Sequence, residues 1–241
     1  MVLNISKNAK ELGEASAIKI AEVINKAIYE NGYARIVLST GASQFDMLDV
    51  LANLEVEWPK VEMFHLDEYI GIDDKHPASF RKYLRERFVL KVNLLKYHFV
   101  SGEGDVQANI RELNEAILEK PVDVAVIGIG ENAHIAFNDP PADLNTQQPY
   151  IVVTLNETCK KQQVGEGWFK TLDDVPKLAI SMSCHRIMMS KCIVSVVPHE
   201  CKANAVYNAL TAPLSSEVPA TILRYHPDWT LFLDENSASK I

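Results

Sequence analysis

The sequence predicts an α/β fold, a doubly wound and mostly parallel sheet with helices on both faces, in a Rossmann-like arrangement. Two observations support this prediction. Segments with apolar residues at helical spacing alternate with short runs rich in β-branched residues, which is typical of a parallel sheet covered on both faces. Three of these runs lead directly into segments rich in glycine, hydroxyl, histidine and carboxylate groups, as expected where strand ends border a ligand crevice.

The helix patterns are clearest in the first half of the chain. Apolar residues recur at helical spacing from Lys10 to Tyr29, and Asn31-Gly32 supplies a C-cap that ends this helix. Further helices are predicted at 44–51, 79–88, 106–118 and about 200–210.

Short apolar runs predict the strands of the sheet. These strands are expected at 34–39, 61–65, 122–127, 150–154, 178–182, 192–197 and 230–233. No stretch resembles a linker, so we expect residues 1–241 to form a single domain.

Composition excludes several classes of protein. The chain has 241 residues, 47% hydrophobic and 23% charged, which is ordinary for a soluble globular protein. Its net charge of -8 argues against a nucleic-acid partner, because a polyanion is normally met by a basic surface. The four cysteines form neither a CxxC metal pair nor a dense disulfide framework, and no signal peptide or membrane span is visible. We therefore expect reduced thiols and a cytoplasmic location.

We call a polar segment that directly follows a predicted strand an exit. The first exit is the loop from Ser39 to Ser43, which contains Thr40, Gly41 and Ala42. Free backbone amides at the start of a helix, with hydroxyl groups and a glycine nearby, favour binding of a phosphate oxyanion. The alternative is a capped turn in which Ser43 is only the N-cap. The Gly-Lys-Ser/Thr pattern of P-loop proteins is absent, which argues against a nucleoside triphosphatase.

The second exit places Asp67 and Glu68 at the end of an apolar strand. A carboxylate shielded from water at such a position can have a raised pKa and act as a general base in carbon-acid chemistry. The alternative is that both carboxylates are solvated or cap the following turn.

The third exit runs from Gly128 to Asp139. Gly128-x-Gly130-x-x-Ala133 satisfies a loose dinucleotide-binding pattern, but that pattern should open a helix, and Asn138-Asp-Pro-Pro interrupts the chain instead. We therefore predict no nicotinamide cofactor.

His134 in this loop is flanked by Asn132 and Asp139, which are two candidate orienting groups. A carboxylate can fix the tautomer of a histidine and support its charged form, so this arrangement favours proton transfer. No three-ligand zinc spacing is present, and we predict neither a metal nor an organic cofactor.

Together these motifs resemble those of the glucosamine-6-phosphate deaminase (isomerase) family, which is related to the 6-phosphogluconolactonases. The resemblance spans nearly the whole chain and rests on Thr40-Gly-Ala-Ser43, Phe64-His-Leu-Asp-Glu-Tyr-x-Gly71 and Gly128-x-Gly-x-Asn-Ala-His-Ile-Ala-Phe-Asn-Asp-Pro140. It implies a hexosamine 6-phosphate substrate that is converted to a ketose 6-phosphate and ammonia.

The resemblance also implies roles for individual residues. His134, oriented by Asp139, would open the sugar ring, and Asp67 would move a proton from C2 to C1. Lys202 would bind the phosphate group together with the loop from Thr40 to Ser43.

The chain departs from the family pattern at several positions. Asn132 stands where most deaminases have an aspartate, so the negative charge associated with the substrate ammonium is missing there, and Glu131 could compensate. The expected phosphate-binding arginine is absent, and Lys161 or Lys160 could replace it. No basic pair of an allosteric site is evident around 150–154, so we predict no such activation.

These departures leave alternatives open. One is a galactosamine-6-phosphate isomerase that yields tagatose 6-phosphate, and others are a 6-phosphogluconolactonase or a non-catalytic sugar-phosphate-binding protein. A homo-oligomer is compatible with the sequence.

Overall fold

The computed structural model describes every residue from Met1 to Ile241. Its strands are β1 (Val2–Ser6), β2 (Ala34–Leu38), β3 (Val61–His65), β4 (Asp67–Tyr69), β5 (Lys96–His98), β6 (Val124–Ile127), β7 (Tyr150–Thr154), β8 (Leu178–Met182), β9 (Cys192–Val197) and β10 (Trp229–Asp234). Its α-helices are α1 (Ala9–Asn31), α2 (Phe45–Leu51), α3 (Phe80–Leu84), α4 (Val106–Leu118), α5 (Glu157–Gly165), α6 (Cys184–Met188) and α7 (Ala203–Thr211).

Seven strands form the central sheet in the order β1-β10-β9-β6-β2-β3-β5. Every neighbouring pair in this sheet is parallel, which confirms the predicted fold class. The chain builds outward from β2 to β3 and β5 on one side, and from β6 to β9 and β10 on the other. The strand order therefore reverses between β2 and β6, and in such sheets a ligand crevice opens beyond the carboxyl ends at that point.

Helices cover both faces of this sheet. One apolar cluster joins Ile20 of α1 and Leu48 of α2 to Ile36 and Leu38 of β2. Val37, between these two strand residues, belongs instead to the opposite cluster, which includes residues of α4, α6 and α7. Alternate residues of β2 thus face different layers, and all five of its residues are buried.

Strands β4, β8 and β7 form a separate antiparallel sheet. The predicted strands at 150–154 and 178–182 are confirmed in position, but they do not belong to the parallel sheet. A third apolar cluster packs against this small sheet and includes Tyr69, Phe80, Phe137 and Phe169. The small sheet lies at the carboxyl end of β3, because only Leu66 separates β3 from β4.

Other elements differ in detail from the prediction. The first helix is longer than expected, with Asn8 as its N-cap and Gly32 at φ +78° as its C-cap. The predicted helix at 79–88 is α3 followed by a π-helical turn, Arg85–Val89, and the predicted helix at 200–210 begins with a 3-10 turn. Strands β1, β4 and β5 and helices α5 and α6 were not predicted. None of the helices combines the length and apolar character that crossing a membrane requires.

Candidate active site

A pocket opens at the point where the strand order of the central sheet reverses. Ligand sites of open α/β sheets occur at this position. Six of the predicted site residues line it together: Thr40, Gly41, Ser43, Asp67, His134 and Lys202. Since these residues follow four different strands, the pocket depends on the assembled sheet.

The loop after β2 presents hydroxyl groups to one end of the pocket. Gly41 has φ +104°, which favours glycine, and its carbonyl accepts a hydrogen bond of 2.9 Å from the Tyr83 hydroxyl. Ser43 Oγ accepts a hydrogen bond of 2.9 Å from Gln44 Nε2, so its own hydrogen is free to donate to a ligand. Ser39 also lines the pocket, and its buried Oγ has no partner. Ala42 starts the 3-10 turn Ala42–Gln44 and does not line the pocket.

Lys202 brings a positive charge to this pocket. It ends the 3-10 turn that precedes α7, and only 5% of the residue is exposed. The turn begins after His199, which has φ +82° and donates its N–H to both carboxylate oxygens of Asp234 at 3.1 Å. The Lys202 ammonium makes no ion pair or hydrogen bond with the protein. A buried and unpaired cation is suited to binding an anion.

Lys161 does not share this position. It is exposed on α5 and does not line the pocket, whereas Gln162, Gln163 and Glu166 do. The reason is helical geometry, because Gln163 belongs to the buried side of α5 and Lys161 lies two residues away. These three lining residues, two on α5 and one directly after it, were missed by sequence reasoning. The helix-capping residue Asn156 is the signal that could have revealed this helix.

The two adjacent carboxylates after β3 have different environments. Asp67 lines the pocket, whereas Glu68 points away from it and is fully buried. The Glu68 carboxylate accepts hydrogen bonds from Ser79 Oγ at 2.8 Å and from the Arg81 backbone and Nε at 2.9 and 3.3 Å. Glu68 therefore anchors the start of α3, and Asp67 is the carboxylate available to a ligand.

Backbone hydrogen bonds hold Asp67 at the junction of the two sheets. The preceding residue, Leu66, donates its N–H to the Leu38 carbonyl at 3.2 Å and accepts from the Met182 N–H at 2.9 Å. Burial, together with the charge of Glu68, raises the pKa of Asp67 to about 8, although a hydrogen bond from the Phe137 amide partly opposes the increase. A carboxyl group with a pKa near neutrality is suited to general acid–base catalysis.

His134, Asn132 and Asp139 form one hydrogen-bonded group. His134 Nδ1 lies 2.6 Å from Asn132 Oδ1 and 3.2 Å from Asp139 Oδ1. Asn132 Nδ2 also donates to Asp139 Oδ1 at 3.1 Å. Because both neighbours of Nδ1 are oxygen acceptors, the proton is assigned to Nδ1, and Nε2 is left to exchange a proton with a ligand.

The Asp139 carboxylate is well supported. Burial alone would raise its pKa, but hydrogen bonds and charge interaction with His134, the Asn156 amide and Asn132 lower the pKa of Asp139 below its ordinary value. Asp139 is therefore ionised at neutral pH and can stabilise a protonated His134. Asn132 and Asp139 do not line the pocket themselves, so they act on His134 from behind.

The backbone of the histidine loop is adapted to this arrangement. A Cβ atom on Gly130 would overlap the His134 ring, so the ring requires glycine at that position. Ala133 and Ala136, on either side of His134, have φ +64° and +51°. Such values are uncommon for residues other than glycine and often occur at functional sites.

One group of side chains has the composition of a metal site. Potential ligand atoms of His134, Asp139 and Cys159 lie within 4.8 Å of one another, and all three residues are buried. Burial raises the pKa of the Cys159 thiol strongly, which disfavours the thiolate that a metal would require. His134 and Asp139 already contact each other through Nδ1 and Oδ1 at 3.2 Å.

Sequence comparison agrees with the motifs found in this pocket. The family model described as glucosamine-6-phosphate isomerases/6-phosphogluconolactonase matches residues 7–232. The chain belongs to this family. The glucosamine-6-phosphate deaminase of Lactobacillus delbrueckii subsp. bulgaricus is 31% identical, with 99% of each chain covered. That of Thermoanaerobacter pseudethanolicus is 34% identical over all of this chain and 95% of the relative.

Solved structures of the family have the same fold. A monomeric glucosamine-6-phosphate deaminase superposes with a TM-score of 0.91 at 28% identity, and both chains are covered completely. A 6-phosphogluconolactonase from Thermotoga maritima gives a TM-score of 0.79 at 15% identity over 97% of this chain and 98% of the other. At 15% identity, the similarity to the 6-phosphogluconolactonase concerns the fold alone. The relatives at about 30% identity are named as enzymes, which confirms the expectation of an enzyme.

Proposed function

We propose that this protein converts glucosamine 6-phosphate and water to fructose 6-phosphate and ammonia. The observation that supports this most directly is that Asp67 and His134 border the same pocket as the unpaired Lys202. The pocket thus combines a candidate base, a candidate ring-opening acid and a cation for phosphate. A non-catalytic binding protein would have no need of the first two.

In the proposed reaction the phosphate group binds to Lys202, the Ser43 hydroxyl and the loop around Gly41. A phosphate held there benefits from charge-assisted hydrogen bonds and from backbone amides at the start of the following turn. Binding at this end would direct the sugar ring toward Asp67 and His134.

His134 Nε2 then moves a proton between O1 and O5 of the sugar and opens the ring. Asp139 stabilises the protonated form of His134 while this happens. In the open-chain form, Asp67 removes the proton on C2 and returns it to C1 through an enol-type intermediate. Water adds at C2 of the resulting imine, ammonia leaves, and the ketose phosphate remains.

An ammonia-release assay tests this proposal directly. Glucosamine 6-phosphate and galactosamine 6-phosphate, which differ only at C4, are assayed side by side with the Asp67→Asn variant as control. We expect stoichiometric ammonia from glucosamine 6-phosphate and its loss in the variant. Preference for the second sugar would reassign the substrate to the galacto series, and no ammonia from either would overturn the deaminase proposal.

A further inference from the structure

His199 has a backbone conformation that residues other than glycine rarely adopt. It lies between β9 and the 3-10 turn Glu200–Lys202, with φ +82° and ψ 143°. A positive φ with such a ψ is close to a region of the φ/ψ map that is nearly confined to glycine, so it costs free energy unless the surroundings compensate. His199 is exposed, so burial of its side chain does not explain the conformation.

The compensation comes from Asp234 at the end of β10. Both oxygens of its carboxylate accept a hydrogen bond from the His199 N–H at 3.1 Å, and Oδ1 also accepts one from the Ser237 N–H at 2.8 Å. Asp234 is only 1% exposed, and no lysine, arginine or histidine side chain pairs with it. Backbone amides are thus the partners of this buried carboxylate, and hydrogen bonds to a carboxylate are stronger than those between neutral groups.

The same turn brings Lys202 to the pocket. The His199 carbonyl accepts a hydrogen bond of 3.0 Å from the Lys202 N–H, so the peptide groups on both sides of His199 are fixed, one to β10 and one to Lys202. The Lys202 ammonium has no partner of its own in the protein, so its position depends on where the backbone of the turn is held. Asp234 does not line the pocket, and it would affect a ligand through this turn.

We infer that Asp234 is a positioning residue for phosphate binding, which holds His199 at its positive φ and thereby directs Lys202 into the pocket. This inference rests on the proposed function, in which Lys202 binds the phosphate group. A lysine side chain has several rotatable bonds, so a loosely held turn would add an ordering cost when the ammonium meets a ligand. The affinity for a sugar phosphate should therefore depend on a carboxylate that never contacts it.

The test measures binding of glucitol 6-phosphate, an open-chain sugar phosphate without a carbonyl or amino group, by calorimetry at pH 7. The proteins compared are the wild type, Asp234→Asn, Lys202→Met and the variant with both substitutions. Asp123→Asn is the matched control, because Asp123 is also a buried carboxylate that accepts a backbone N–H, from Arg35 at 2.8 Å. Asp123 directly precedes β6, so it lies at the amino end of that strand and outside the pocket lining.

We expect Asp234→Asn to weaken binding about tenfold, Lys202→Met to weaken it at least as much, and Asp123→Asn to leave it within about twofold. In the Lys202→Met background, Asp234→Asn should change the affinity by about twofold or less, since both residues act on one interaction. Steady-state kinetics should show the effect of Asp234→Asn in KM, with kcat within about threefold, because Asp67 and His134 lie on other loops.

Unchanged affinity in Asp234→Asn would overturn the inference. An equal loss with and without Lys202→Met would also overturn it, because Asp234 would then not act through Lys202. If Asp234→Asn is unfolded in a thermal melt, Asp234→Ser replaces it, since the hydroxyl oxygen retains an acceptor, and an unweakened affinity in that variant counts equally against the inference. Failure of the wild type to bind glucitol 6-phosphate, or full affinity in Lys202→Met, would instead count against the proposed function.

Discussion

The Nδ1 atom of His134 lies 3.2 Å from Oδ1 of Asp139. This contact is made by a residue outside the pocket lining, and it orients the imidazole of His134, which does line the pocket. The second carboxylate oxygen of Asp139 accepts a hydrogen bond from the Asn156 N–H at 3.0 Å, so both oxygens of this carboxylate are held by the protein. His134 consequently has one ring nitrogen held by the protein and one available to the ligand. The first prediction follows from this division.

Asp139→Asn removes the negative charge and can present an amide N–H to Nδ1. We expect kcat to fall by about 100-fold, because proton transfer by His134 depends on the tautomer and on support of its charged form. KM should change little, since Asp139 does not line the pocket. Steady-state kinetics measures both quantities, and a variant with normal kcat would contradict the orienting role.

The lowered pKa of Asp139 also predicts how the stability of the Asp139→Asn variant, relative to the wild type, depends on pH. A carboxylate with a lowered folded-state pKa stabilises the fold above its unfolded pKa, and this contribution is lost as the pH falls through the folded pKa. Asp139→Asn should therefore be less stable than the wild type at pH 7 and approach it in acid. Denaturant unfolding at several pH values measures the difference in free energy of unfolding between the wild type and the variant. A difference that grows toward low pH would contradict the prediction.

The contribution of Asp67 to stability is expected to depend on pH in the opposite direction. Its pKa is raised to about 8, so the folded protein binds a proton that the unfolded chain releases at lower pH. Stability should consequently decline as the pH rises from about 4 to about 8. Asp67→Asn removes this ionisation, and we expect it to increase the free energy of unfolding by about 1 kcal/mol or more at pH 8.

The same substitution should abolish most turnover. Removing a general base typically costs about 10²- to 10⁴-fold in rate, and the wild-type kcat/KM should rise with pH as Asp67 ionises. A more stable but inactive Asp67→Asn protein would show that burial of this carboxyl group serves catalysis at the expense of stability. A variant that is both active and unchanged in stability would refute both statements.

Lys202→Met removes the unpaired ammonium but retains most of the apolar stem. We expect KM to rise about 10- to 100-fold, in line with the loss of a charge-assisted hydrogen bond to phosphate. Lys161→Met, at the exposed position on α5, should leave KM within about twofold. A larger effect at Lys161 than at Lys202 would instead support Lys161 as the main phosphate-binding lysine. Inhibition by inorganic phosphate gives an independent measure of the same site.

Gly130→Ala should disturb His134 directly, because the added methyl group would overlap the imidazole ring. We expect a strong loss of kcat and a destabilisation of about 1–3 kcal/mol, as for other overpacked sites. Gly165→Ala is the matched control, since its new Cβ meets no atom within 4 Å. That variant should be neutral or slightly stabilised, because alanine favours the helix at the end of α5. Equal effects of the two substitutions would argue against a specific requirement at Gly130.

Much of the pocket could be predicted because Thr40, Asp67 and His134 each follow an apolar run along the chain. Parallel strands place such exits at one edge of the sheet, so three separate motifs indicate one site. The strands β7 and β8 illustrate the limit of this reasoning. Their residue patterns indicate extended structure, but the choice of an antiparallel partner depends on contacts distant in sequence, such as Asp67 with Ser181.

Helix α5 was missed for a different reason. Most residues from Glu157 to Gly165 are polar, so the helix has little apolar periodicity. Its start is set by Asn156, whose side chain accepts the Cys159 N–H at 2.8 Å, and its inner side is set by a few tertiary contacts. The exposure of Lys161 and the inward position of Glu166 follow only once this helix is known.

The reversal of strand order between β2 and β6 divides the pocket between two parts of the sheet. Thr40 and Asp67 follow strands on one side of the reversal, and His134 and Lys202 follow strands on the other. A ligand that contacts both sides opposes their separation and raises the free energy of unfolding by RT ln(1 + [L]/Kd). Bound sugar phosphate should therefore slow proteolysis and amide exchange across the whole central sheet, including strands such as β10 that never touch it.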